Sequence, residues 1–299
     1  MDLNADYIRP LRQGRLEAGL KSRYRSIPVN MQFFPGLDSP LDTGAGGWAK
    51  YRETIPAVYG NYVFENQRIE LEGGLRLEGV RVDYDVNPDH NTYKSDGYRY
   101  LQLFPNMRAA YKFGDAHKLS LFVNRRVDRP NEVDIRIFPK YDEPELIKVG
   151  NPALKPQYAT AAELGYKTSW TTGSVYAAAF HRIVDGTITR IATQAPGSVL
   201  LYNVFQNGGR SWSTGSELTW QQTLSPRLTL GANGNLFRRT VAAFSGTNQY
   251  PVPTTYAVPR QALTSGTLKA NAMLQLPREW QAQLSGIYLA PDLLPQGRI

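Results

Sequence analysis

Residues 68–77 read Arg-Ile-Glu-Leu-Glu-Gly-Gly-Leu-Arg-Leu. Ile69, Leu71, Leu75 and Leu77 share one parity, and Arg68, Glu70, Glu72 and Arg76 share the other. A helix advances ~100° per residue and would smear these two sets around its surface; a period of two keeps them apart. The stretch is therefore a strand with one apolar face and one charged face. The same sorting recurs along the chain. In 117–126, Leu119, Leu121 and Val123 oppose Lys118, Ser120 and Asn124. In 228–236, Leu228, Leu230 and Leu236 oppose Thr229, Asn233 and Asn235. In 267–276, Leu268, Ala270, Leu274 and Leu276 oppose Thr267, Lys269 and Gln275. In 280–288, Trp280, Ala282 and Leu284 oppose Gln281 and Gln283.

Twelve strands follow from this reading, near 2–9, 14–25, 50–65, 68–84, 98–113, 117–127, 157–169, 174–188, 199–223, 227–240, 260–276 and 280–290. Several exceed the ~5–6 residues usual in globular sheets. Their connections alternate: short turns near Leu11–Gln13, Glu65–Gln67, Gly114–Ala116, Trp170–Gly173, Leu224–Pro226 and Pro277–Glu279, and long loops near 26–49, 85–97, 128–156, 189–198 and 241–259. A meander with one short-turn rim and one long-loop rim has the shape of an outer-membrane barrel. A sandwich would give shorter strands and Greek-key jumps.

The composition agrees. The chain has 299 residues, 41% of them hydrophobic, enough apolar content to exclude a disordered chain. No apolar run approaches the ~18–20 residues of a membrane helix, which excludes a helical membrane protein but not a barrel with a polar lumen. Cysteine is absent, so disulfides, zinc ribbons and thiol nucleophiles are excluded together. The start, MDLNADYIRP, has no basic-then-apolar leader. Tyr51, Tyr59, Tyr62, Phe64, Tyr84, Tyr98, Tyr100, Tyr111, Phe113, Tyr166, Trp170, Trp280 and Tyr288 fall near strand ends. That placement is expected of the aromatic girdles at membrane interfaces.

One segment goes beyond pattern. Residues 124–130 read Asn-Arg-Arg-Val-Asp-Arg-Pro, 150–158 read Gly-Asn-Pro-Ala-Leu-Lys-Pro-Gln-Tyr, and Glu163-Leu164-Gly165-Tyr166 follow. This succession resembles the barrel of TonB-dependent outer-membrane receptors. Gln157 stands where that family usually has Glu. Thr214-Gly215-Ser216-Glu217-Leu218 is similar to another strand of the family, and Leu16-Glu17-Ala18-Gly19-Leu20-Lys21 resembles the branch called the outer-membrane protein β-barrel family. The resemblance covers most of the chain and is densest over 104–220. Physically, Pro152 and Pro156 fix φ and Gly150 and Asn151 suit a turn, so 150–156 is a stiff connection that sets the strand at 157.

The resemblance implies an all-β fold, an antiparallel up-and-down transmembrane β-barrel, here a partial barrel of about 12 strands taken from one of about 22. Residues 1–299 are then a β-barrel domain fragment without the plug domain and the terminal strands. The implied function is a receptor and transporter barrel in the bacterial outer membrane for TonB-dependent uptake of a scarce ligand, without covalent chemistry. The implied partners are outer-membrane lipid, TonB acting through a plug domain absent from this chain, and a small-molecule, sugar or peptide ligand. Two alternatives stand beside it: a passive porin-like or adhesin barrel, and a soluble all-β binding module.

Enzyme motifs are absent, and no catalytic residue, cofactor site or metal site is assigned. His90, His117 and His181 lie in separate segments with no second ligand at metal spacing. Asp142, Glu143 and Glu145, with Asp134 nearby, read as a solvated acidic loop, with a Ca²⁺ site the lesser reading. Thr43-Gly44-Ala45-Gly46-Gly47 reads as a flexible loop. Arg125, Arg126 and Arg129, followed by Arg136 and Lys140, form the densest basic group. Without stacking aromatics interleaved on one surface they do not suggest nucleic acid. They are expected to pair with acidic residues such as Glu70, Glu72 and Glu163 or to face a plug, with passage of an anionic ligand as the alternative. The ligand-contact candidates are Phe33, Phe34 and Trp48 in the loop 31–48, where exposed rings stack on sugars or apolar ligands.

Overall fold

The computed structural model describes residues 1–34, 43–143, 145–294 and 296–298. Among them, twelve wall strands form one antiparallel sheet: β1 (Asp2–Leu11), β2 (Gly14–Met31), β3 (Gly47–Glu65), β4 (Ile69–Val86), β5 (Asp96–Phe113), β6 (His117–Asp128), β9 (Gln157–Trp170), β10 (Gly173–Asp185), β13 (Ser211–Ser225), β14 (Leu228–Val241), β17 (Gln261–Gln275) and β18 (Gln281–Leu289). Each pairs with its neighbour along the chain, and β1 and β18 are the two edges. The remaining strands belong to the loops: β7 (Lys140–Glu143), β8 (Leu146–Val149), β11 (Ile188–Gln194), β12 (Leu201–Asn207), β15 (Phe244–Asn248), β16 (Thr254–Val258), β19 (Leu293–Leu294) and β20 (Gly297–Arg298).

The wall has its apolar side outward. Leu71, Leu75, Leu101, Leu164, Leu218, Leu236, Leu268 and Leu284 are all exposed, and nothing among the described residues covers them. A soluble sheet buries that face; a sheet in lipid presents it. The inward face carries Glu17, Glu70, Glu72, Arg76, Glu163 and Glu217, joined by hydrogen bonds and ion pairs. Glu70 takes Lys112 and Lys118 at 2.8 and 2.5 Å. Asn61 Nδ2 donates to Glu17 and Glu72, Tyr176 Oη donates to Glu163, and Asn233 Nδ2 donates to Glu217.

The parity then reverses within single strands. In β4 the outward set is Ile69, Leu71, Leu75 and Leu77, but from Gly79 onward Val80, Val82, Tyr84 and Val86 are buried inward while Arg81, Asp83 and Asp85 face out. β4 is 18 residues long, whereas a tilted strand crosses a bilayer in about 9–11. The apolar-out half, Ile69 to Glu78, therefore matches the membrane, and the other half rises above it on the long-loop side.

There the loops fold over the inner face. β11, β12, β8 and β7 make a four-stranded sheet in that order. β8 and β12 come from different loops and pair in parallel, Leu146 against Leu201 through Val149 against Val204. The core of the molecule lies between this cap and the wall: Tyr51, Val82 and Tyr84 from β3 and β4 pack with Ile137, Ile147, Leu154 and Val204. Burial of each aliphatic side chain contributes roughly 1.5–3 kcal/mol. The hairpin β15–β16 is fastened to the cap through buried Asn248, whose amide donates to Ile191 O and Thr193 Oγ1 and accepts from Gln206.

Three expectations are corrected. The expected strand 199–223 is two elements: β12 belongs to the cap and β13 to the wall, separated at Gly208-Gly209-Arg210. The long loops near 128–156, 189–198 and 241–259 contain β7, β8, β11, β15 and β16, which are only four to seven residues long and too short to give a clear periodic signal. The aromatics also divide. Tyr62, Tyr111, Phe113, Tyr166 and Trp170 are exposed outward near the short-turn rim, as a girdle requires, but Tyr51 and Tyr84 are each 1% exposed in the core under the cap.

Candidate functional site

The motif 150–156 is the joint on which the cap is built. Asn131 begins a single helical turn, α1 (Glu132–Ile135), with a reciprocal capping box to Asp134. Gly150 lies so close to that turn that a Cβ there would sit 2.5 Å from the Arg136 backbone, and its N–H donates to Arg136 O at 2.9 Å. Asn151 Nδ2 donates to Phe205 O at 2.9 Å, which joins the motif to β12. Asn207 exchanges two 2.8 Å bonds with the Lys155 backbone, and Lys155 Nζ reaches Gly97 O at 2.7 Å. Leu154 is fully buried. The stiff connection expected from the prolines thus ties α1, β12 and the start of β5 together.

This joint holds a cavity of about 530 Å³ lined by Met31, Arg136, Phe138, Lys140, Lys148, Arg190 and Phe205, among others. That is within the ~300–1,000 Å³ of small-ligand sites. Its floor is apolar: Phe138 is buried, and Phe205 packs against the core. Its polar atoms are cationic. The Arg190 guanidinium stacks 4.4 Å from the centre of the Phe205 ring. Lys140 and Lys148 are register partners on β7 and β8. Arg136 is held by a two-pronged ion pair to buried Glu132, at 2.9 and 2.5 Å, and that carboxylate holds the guanidinium above its ordinary pKa. Planar guanidinium groups beside aromatic faces suit an anionic ligand with a flat or apolar body.

Toward the membrane, a second inward cavity of about 180 Å³ is lined by Lys21, Arg23, Arg76 and Arg129 with Ile55 and Ala57. Glu78, fully buried, is ion-paired to both Arg76 and Arg129, and Arg129 Nε donates to Tyr100 Oη. Leaving such a carboxylate without partners would be strongly unfavourable, so the two arginines fix it in place.

The sequence-predicted residues fall as follows. Phe33 is partly buried against the core, edge-on to Tyr141 with ring centres 5.8 Å apart, two residues beyond cavity-lining Met31. Phe34 is 83% exposed. Trp48 has the outward parity of β3, opposite Asn30, and so does not share a surface with Phe33. The rest of that loop, residues 35–42, lies outside the described residues. Thr43–Ala45 is a 3₁₀ turn whose Ala45 is fully buried, so part of the glycine-rich segment is packed into the core.

Two members of the basic group pair with acidic residues other than Glu70, Glu72 and Glu163. Arg129 pairs with Glu78 and Arg136 with Glu132, while Arg125 lies over the Tyr158 ring at 5.3 Å. Glu70, Glu72 and Glu163 are taken by lysines, Asn61 and Tyr176. The side chains of Asp142 and Glu143 lie outside the described residues. His90 Nδ1 accepts from the backbone of Thr92 and Tyr93, His117 contacts Tyr166 Oη, and His181 contacts Thr214 Oγ1. Arg190 and Phe205, the residues that shape the larger cavity, were not singled out from the sequence; they meet only through the pairing of β11 with β12.

A family model for the outer membrane protein beta-barrel family matches residues 1–299. Among solved structures, the copper transporter OprC is similar with a TM-score of 0.57 at 13% identity, over 92% of this chain and 51% of that one. The ferric yersiniabactin uptake receptor FyuA from Yersinia pestis gives 0.57 at 14%, over 97% and 42%. The FrpB iron transporter from Neisseria meningitidis gives 0.53 at 14%, over 95% and 50%. The chain thus spans about half the length of these structures. At such identities the likeness is one of fold. No curated protein matches the chain.

Proposed function

Because this chain belongs to the outer membrane protein β-barrel family, and so to the outer membrane, we propose that it forms about half the barrel wall and the outer-loop cap of a TonB-dependent uptake receptor. Edges of sheet are not tolerated in lipid, so β1 and β18 are completed by further strands. The observation that carries the reading is the pairing of an apolar-out, polar-in wall with a folded cap that holds a ligand-sized cavity over the lumen. A passive pore has no need of such a chamber. The ligand is captured at the cap and passes along the polar inner face, and no bond of it is made or broken. Arg190, Lys148 and Phe205 favour an anionic ligand with an apolar or aromatic part. The similar structures are a copper transporter, an iron transporter and a ferric yersiniabactin uptake receptor; a metal complex carrying anionic groups fits this cavity's chemistry. Phe33 and Phe34 are assigned to the contact surface beside it.

The test is a strain lacking the full-length gene, grown on a panel of scarce nutrients (ferric complexes, copper complexes, cobalamin, sugars and peptides) with and without TonB. The expected result is a growth defect on one nutrient class that loss of TonB reproduces and does not deepen. Complementation with Arg190→Ala is expected to restore the barrel to the membrane but to lower uptake about ten-fold. Uptake that persists without TonB overturns the reading in favour of a passive pore.

A further inference from the structure

The outward face of β1 to β5 carries a groove of about 700 Å³ walled by Leu3, Leu20, Leu77 and Leu101. Its origin is local. Pro56 has no N–H to give to the ladder, and the facing stretch of β4 holds Gly79, which has no side chain. The ladder between β3 and β4 is interrupted there, passing from Thr54 against Arg81 to Ala57 against Glu78. A Cβ placed on Gly79 would lie 3.6 Å from Pro56 Cγ and 3.9 Å from Leu101 Cδ1, so the glycine leaves space that a side chain would occupy without a clash.

Directly above the groove, on the same outward face and on the long-loop side, Arg81 and Arg99 are register partners. Like charges opposite one another destabilise a sheet. Asp83 meets Arg81 at 2.7 Å, but Arg99 has no acidic partner among the described residues. Each arginine stands two residues from the groove wall, about 7 Å along the strand. An apolar slot with an under-neutralised guanidinium pair at its mouth has the shape and charge of a lipid's binding site, not of a stretch of indifferent hydrocarbon surface. Guanidinium forks bind phosphate oxygens in two-pronged fashion.

We propose that this groove holds an acyl chain of a phosphate-bearing lipid of the leaflet on the long-loop side, with the phosphate between Arg81 and Arg99. The site is independent of the uptake reading, since it faces away from the lumen.

The test is native mass spectrometry of the full-length protein in detergent, titrated with bisphosphorylated lipid A and with the same lipid stripped of its phosphates. The wild type is expected to retain one phosphorylated lipid at least ten-fold more tightly than the stripped form. Arg99→Gln removes the preference, Gly79→Leu fills the slot and lowers retention about ten-fold, and Arg99→Lys keeps most of it. Arg227→Gln, an equal charge change on the short-turn rim, leaves it intact. Equal retention of the two lipids, or a preference that survives Arg99→Gln, overturns the proposal. So does loss of retention in Gly79→Leu alone, because that leaves the phosphate without a role.

Discussion

Tyr93 shows how the cap trades polarity for packing. Its ring stacks against Tyr250 with centres 6.3 Å apart and planes within 10°. The residue is 5% exposed, and its hydroxyl has no hydrogen-bond partner among the described residues. A buried hydroxyl left unpaired costs about 1–3 kcal/mol. Tyr93→Phe is therefore expected to stabilise the cap by about 1 kcal/mol, read as a later loss of near-ultraviolet dichroism in urea. Burial also pushes the Tyr93 phenol well above its ordinary value. A raised pKa favours the protonated form in the fold, so this contribution is fully present below about pH 10, the ordinary phenol value, and is lost as pH rises beyond it. The aromatic signal of the cap is expected to weaken above that pH in the wild type and to weaken less in Tyr93→Phe, where Tyr51 and Tyr84, also raised by burial, still titrate on unfolding. Not all of this was legible beforehand: Tyr51 and Tyr84 sit near strand ends just as Tyr62 and Tyr111 do, and only the partner across the inner face separates core from girdle.

At the scale of elements, the wall was written plainly in the sequence. Period-two sorting located all twelve wall strands, and the short turns fell between the right pairs, because each wall strand pairs with its sequence neighbour and needs no distant information. The cap was not written that way. β8 and β12 are four and seven residues long and meet across more than fifty residues of chain, so neither shows a pattern alone. The reversal at Gly79 was present in the letters, since Leu75 and Leu77 are odd-numbered and Val80 and Val82 even-numbered, but reading 68–84 as one alternating strand hid it. The reversal makes a sharp prediction. Leu75→Arg, in the membrane half, is expected to cost about 2–4 kcal/mol of barrel stability in bilayers. Arg81→Leu, only six residues along the same face, is expected to cost less than about 1 kcal/mol, because that end of β4 stands clear of the hydrocarbon. Equal effects at the two positions would refute the boundary at Glu78–Gly79.

For the whole molecule, the decisive features are the two open edges. β1 and β18 present unpaired backbone groups, and both strands are exposed on both faces. Residues 1–299 produced alone are expected to assemble edge to edge and to give no compact, heat-modifiable monomer in detergent, whereas the full-length protein gives one. A monomeric species from 1–299 that migrates as a closed barrel would mean that twelve strands suffice, and the partial-barrel reading would fall.

The parallel pairing of β8 with β12 reaches beyond stability. It makes one structure of two loops that leave the wall at different places, with Asn151, Gln206 and Asn248 linking them and a third loop through their amides. A recombination that exchanged the 129–156 segment with a relative would carry half of a sheet into a barrel holding the other half of a different one. If the cap captures the ligand as proposed, ligand preference is therefore inherited as a block. Grafting the cap onto another barrel requires moving the segments after β6, β10 and β14 together, and on the proposed uptake function a change of ligand would come by substitution inside the chamber more readily than by swapping a single loop.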